Sequence, residues 1–89
     1  MRAIVTVIGH DRTGIIAEIS MLLFKAGVNI LDINQTVMQE FFTMTMLVDT
    51  KDATISFEEL SKRLADKGKE MKLNIRIQRE DIFNAMHRI

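Results

Sequence analysis

The sequence contains no cysteine, proline, tryptophan or tyrosine, and only four glycines in 89 residues. Without cysteine there is no disulfide framework, no thiolate zinc site and no cysteine-ligated cluster. Without proline, and with glycine so sparse, nothing reads as an interdomain linker or low-complexity tract, so one small domain is expected. No stretch approaches the about 18 consecutive apolar residues of a membrane span. The opening MRAIVTV enters a strand pattern directly, without the charged region, apolar core and cleavage site of a signal peptide. Neither sign of charge dominates, because twelve basic and twelve acidic residues cancel and the isoelectric point is about 6.7. A nucleic-acid binder draws its affinity from phosphate contacts and carries a basic stripe. Together these absences lead us to expect a cytoplasmic protein with neither a membrane nor a nucleic-acid partner.

What is present is a core: 47% of the residues are apolar. Residues 2–8 read as a strand, with Ala3, Val5 and Val7 on one face and Ile4, Thr6 and Ile8 on the other. Over 14–26, Ile15, Ile16, Ile19, Leu22, Leu23 and Ala26 fall at helical spacing, with Lys25 suiting the last turn and Gly27 the stop. Residues 28–39 read as a long strand whose alternation slips at Ile30 and Leu31, the mark of a bulge or a change of face. Residues 41–49 alternate cleanly, Phe42, Met44, Met46 and Val48 against Phe41, Thr43, Thr45 and Leu47. A tight hairpin near Gln39-Glu40 joins these strands, although the Asn-Gly or Asp-Gly usual there is missing.

Ser56 and Glu59 have capping-box spacing, and the helix they begin buries Phe57, Leu60, Leu64 and Met71. Gly68 is expected to weaken that helix and to end it early. Leu73, Ile75 and Ile77 alternate inward over 73–79, and Ile82, Phe83, Met86 and Ile89 fall at helical spacing in the tail. The order βαββαβ predicts an α+β, ferredoxin-like sandwich: a four-stranded antiparallel sheet with two helices on one face, plus a short C-terminal helix. Residues 1–80 are expected to form the domain and 81–89 the tail. Ile4, Ile8, Phe41 and Leu47 are left for the face without helices, so the tail or a second subunit is expected to cover it.

Many unrelated functions share this fold, so the site has to decide. RNA readers on it stack bases on aromatics of the central strands, yet here only Phe41 and Phe42, at the start of one strand, are available. His10, Asp11, Arg12, Thr13 and the distant His87 come with no nucleophile pattern and no metal-spaced cluster. Neither an enzyme nor a metal or other cofactor is expected. The corner GHDRTGIIAEI, residues 9–19, suits binding better. Gly14 lets a ligand approach the backbone, the unpaired amides of 14–16 and the helix dipole favour a carboxylate, and Asp11 suits an ammonium. That pairing fits an α-amino acid. Asp11 or Thr13 as a plain helix cap would explain the same residues, and composition and spacing do not separate the two.

The segments VIGHDRTGIIAEIS, LFKAGVNILDINQ and FTMTMLVD resemble an ACT domain across roughly residues 2–79. The likeness is greatest to small stand-alone ACT proteins of bacteria, and similar modules occur in the glycine-cleavage repressor and in formyltetrahydrofolate deformylase. The resemblance implies regulation by a bound amino acid or other small metabolite, often between paired subunits. It maps the ligand loop to Asp11, Arg12, Thr13, Gly14 and Ile15, and adds Asn29 from a neighbouring subunit, with Asp32 a weaker candidate. Thr13 stands where the family commonly has proline, which bears on loop rigidity and ligand identity. The expectation is therefore a homodimeric regulatory module that binds an amino acid and acts in trans. A protein-interaction module without a metabolite site is the alternative, and an RNA-binding module a third.

Overall fold

A computed structural model describes residues 1–81 of the chain; the tail helix expected over 81–89 thus falls, but for its first residue, outside the described residues. The elements are β1 (Arg2–His10), α1 (Ile15–Lys25), β2 (Asn29–Met38), β3 (Phe41–Asp49), α2 (Phe57–Met71) and β4 (Leu73–Arg79). The sheet order is β2-β3-β1-β4, with every neighbouring pair antiparallel. This is the ferredoxin-like βαββαβ arrangement, with β1 and β3 central and β2 and β4 at the edges. Among the described residues no helix is long and apolar enough to cross a membrane.

The core lies between the sheet and the helices. Ala3, Val5 and Val7 of β1 and Met44, Met46 and Val48 of β3 are fully buried. They meet Ile15, Ile19 and Leu23 of α1 and Leu60, Leu64 and Met71 of α2. Burying one such side chain is worth about 1.5–3 kcal/mol, so these alternating rows hold the two layers together. Phe57, expected in the core, is only partly buried and packs against its margin. Ser56 caps α2 through its side chain, which accepts from the Glu59 amide at 3.0 Å.

α2 runs past Gly68 to Met71, contrary to the early end expected from propensity. A Cβ at Gly68 would lie 2.7 Å from the Leu73 carbonyl oxygen. Glycine is there because the helix rides directly on the backbone of β4. β1 also runs further than its apolar alternation suggested, because Gly9 and His10 still pair with Phe42 and Phe41.

The slip in β2 is a bulge: Ile30 pairs with Val48 and Asp32 with Leu47, leaving Leu31 extra. Met38 pairs with Phe41, so the hairpin loop is Gln39-Glu40, and Gln39 enters the left-handed region at φ 54. On the face without helices, Ile8 and Phe41 are half exposed while Ile4 is buried and Leu47 partly so. The apolar row expected there is uncovered only toward the hairpin end.

Candidate functional site

The corner between β1 and α1 is built by three restraints. β1 carries its pairing to His10, whose ring lies 5.3 Å from that of its register partner Phe41, at an interplanar angle of 32°. The Asp11 amide then donates to the Glu40 carbonyl at 2.8 Å, fastening the loop to the β2–β3 hairpin. Gly14 turns the chain into α1 at φ 90, a region an L side chain enters only at a cost. The first bond of the helix is Glu18 N–H to Gly14 O at 2.9 Å.

No side chain caps α1. Neither Asp11 nor Thr13 therefore plays the capping role that would have accounted for it, and the amides at the start of the helix keep their capacity to donate. Among the described residues nothing pairs with the Asp11 carboxylate. Arg12 is engaged instead: its Nη2 lies 3.5 Å from Glu18 Oε2. Glu18 Oε1 lies 3.9 Å from Lys67 Nζ, and Lys67 lies 3.5 Å from Glu70 Oε2. These exposed pairs link the loop to both helices but contribute little stability individually.

A groove of about 570 Å³ opens beside the helix start, lined by Asp11, Arg12, Gly14, Ile15, Ile16, Ala17, Gln35, Val37 and Phe42. It exists because the helices leave the inward side of β2 open beyond Ile30. Ile33 and Val37 stand opposite Met46 and Phe42 in register, yet are 39% and 54% exposed while their partners are 0% and 4%. On its other side the loop borders a cleft of about 370 Å³ lined by His10, Asp11, Arg12, Glu70, Met71 and Lys72.

Of the residues singled out in the sequence, Asp11, Arg12, Gly14 and Ile15 line the groove and Thr13 does not. Asn29 opens β2 opposite Asp49, eight residues from Val37, or roughly 26 Å at the usual rise of a strand. One protomer cannot bring Asn29 and the loop together. Asp32 faces the other side of the sheet, paired with Leu47, and its Oδ1 accepts from the Ile33 amide at 2.9 Å. It takes no part in the groove. The floor residues Gln35, Val37 and Phe42 were not singled out. The signal for them was the bulge, which decides the side of the sheet that each residue of β2 faces. Among the described residues no cluster of His, Cys, Asp or Glu could hold a metal ion.

The arrangement offers unpaired amides and one unpaired carboxylate above a floor that is apolar but for Gln35. The family model for the ACT domain matches residues 2–78. A UPF0237 protein of Clostridium acetobutylicum is 51% identical over 89 residues, covering 100% of both chains. Another UPF0237 protein, of the archaeon Methanocaldococcus jannaschii, is 50% identical over 88 residues, 99% of this chain and 98% of its own. The likeness thus reaches beyond bacteria. The structure of an ACT domain protein from Streptococcus pneumoniae matches with a TM-score of 0.81 at 40% identity, over 93% of each chain. The chain belongs to the ACT domain family, and as such is a regulatory small-molecule-binding module and not an enzyme.

Proposed function

We propose that this module binds an α-amino acid in the groove at the start of α1 and acts in trans as a homodimer paired along β2. The observation that carries the reading is the uncapped start of α1 facing the groove beside an unpaired Asp11. Free amides at the positive end of a helix attract a carboxylate, and Asp11 complements the ammonium of the same ligand. The floor of Ile15, Val37 and Phe42 receives the side chain.

The β2 edge supports the dimer. Natural edge strands are kept from pairing by lysine, proline, inward charges or bulges. β2 has a bulge at its first turn of residues, but from Asp32 to Met38 it carries one charge and neither lysine nor proline. Leu31, Ile33, Val37 and Met38 are all exposed along it. Antiparallel pairing of two β2 strands about a two-fold axis reverses one against the other. The Asn29 end of each strand then meets the groove end of its partner, which joins the two halves of the site. Ligand binding across that seam stabilises the dimer by its difference in affinity between paired and unpaired states.

A thermal-shift and calorimetric screen of the twenty amino acids, with sedimentation in the presence and absence of a hit, tests this. The expected result is a dimer whose melting temperature rises with a hit, the rise being lost in Asp11→Ala. A monomer at micromolar concentration with no shift from any amino acid would falsify the proposal. A second reading, an interaction module without a metabolite site, is favoured by the outer face of α1, where Met21 and Phe24 are 51% and 75% exposed. Its mark would be a stable partner whose capture depends on Phe24 and not on Asp11.

A further inference from the structure

We infer that Gln35 selects the ligand of the groove, favouring an α-amino acid whose side chain carries a hydroxyl or carboxamide over its apolar isostere. The inference rests on the reading above that the groove binds an α-amino acid, and adds which kind.

The inward rows of the sheet are apolar almost throughout. β1 presents Ala3, Val5 and Val7, β3 presents Phe42, Met44, Met46 and Val48, and β4 presents Leu73, Ile75 and Ile77. In β2 the inward row reads Ile30, Ile33, Gln35, Val37, as their partners Val48, Met46, Met44 and Phe42 fix. Apart from Arg79 at the last position of β4, Gln35 is the one polar side chain in these rows. It stands opposite Met44, which is fully buried. Strands favour β-branched residues at such positions, and the two flanking positions have them.

Because α1 does not cover this part of β2, Gln35 is exposed and lines the same groove as Asp11 and Gly14. Among the described residues its carboxamide has no hydrogen-bond partner. A carboxamide offers two donors and an acceptor. A ligand held by its ammonium at Asp11 and its carboxylate at the amides of α1 extends its side chain over Val37 and Phe42 toward that group. A hydroxyl or amide there completes a hydrogen bond, whereas an apolar side chain displaces water from Gln35 and returns nothing. Water keeps some access to the open groove, so one neutral hydrogen bond sets the scale of discrimination, about tenfold.

The test is calorimetric titration with threonine against valine, and asparagine against leucine, on the full chain. It is repeated on Gln35→Leu and on the unbranched Gln35→Met, after confirming that their unliganded melting temperatures match the parent. We expect the parent to bind threonine about tenfold more tightly than valine, and both variants to bring that ratio to one or below while valine binding persists. A ratio near one in the parent, or a ratio unchanged in both variants, overturns the role of Gln35 and leaves the groove itself intact if binding still depends on Asp11. Absence of binding by any amino acid overturns the groove reading and this inference with it.

Discussion

Gly68→Ala sets two opposed effects against each other at a site where their sizes can be compared. Intrinsic propensity favours alanine over glycine inside a helix by about 0.8–1 kcal/mol, so on α2 alone the substitution stabilises. In the folded chain the added Cβ meets Leu73 O at 2.7 Å, Ile75 Cγ1 at 3.3 Å and Ile75 N at 3.4 Å. Two of these atoms are backbone of β4, which is held in register against β1 from Gly9–Leu73 to Ala3–Arg79, so the strand cannot retreat without loosening the ladder. α2 cannot pivot freely either, since only Lys72, in the left-handed conformation, separates it from β4. The helix must lift, and overpacking of this kind costs about 1–3 kcal/mol. Overpacking wins, leaving a net loss of about 1 kcal/mol. For a domain of this size that lowers the melting temperature by about 4–8 °C. Urea denaturation followed by circular dichroism, at one protein concentration because the proposed dimerisation would shift the midpoint, should show a lower midpoint with an unchanged slope. Gly68→Val should lose more. An alanine variant as stable as the parent, or more stable, refutes the close approach of α2 to β4 as the reason for glycine.

Ser56→Ala removes the side chain that accepts from the Glu59 amide and should cost about 1 kcal/mol, read as a drop in the urea midpoint; no change would mean that another group caps α2. The Lys51 amide, donating to Asp49 Oδ1 at 3.0 Å, holds the Asp49 carboxyl below the ordinary carboxylate range, with the N-terminal ammonium adding to the effect. The lowered folded value means that this group's contribution is fully present above the unfolded pKa and is lost as pH falls through the folded one. Carbon-detected NMR titration of Asp49 should therefore give a midpoint below that of a free aspartate, and Asp49→Asn should flatten the acid limb of stability against pH.

Much of the fold could be read from alternation alone, and the places where the reading failed share one cause. The two-faced pattern of Phe41–Asp49, the helical spacing from Ile15 to Ala26, the Ser56–Glu59 cap and the slip at Ile30-Leu31 are local, and each holds in three dimensions. Gly68 was misread because its role depends on the strand that follows, not on its own helix. The extension of β1 to His10 depends on Phe41 across the sheet. In the corner, the loop residues stood out by their chemistry, but composition could not show whether Asp11 or Thr13 caps the helix. The uncapped Gly14 does. The floor of the groove stayed hidden because the exposure of Ile33, Gln35 and Val37 depends on how far α1 reaches across the sheet.

Leu31, the extra residue of the bulge, marks a place in β2 where the chain can change length without turning the strand over. Were Leu31 a regular position of the strand, the inward positions after Ile30 would be Asp32, Asn34, Thr36 and Met38; because the bulge skips it they are Ile33, Gln35 and Val37. Side chains alternate with a period of two, so a single-residue insertion or deletion exchanges the two faces of a strand. Loss of the Leu31 codon would straighten the strand and leave Ile33, Gln35 and Val37 on the floor, whereas loss of the Asn34 codon would turn Gln35 and Val37 to the opposite side. A change of one residue in the length of β2 can thus alter the floor of the groove, and the surface the edge strand offers, without altering any residue of the loop between β1 and α1.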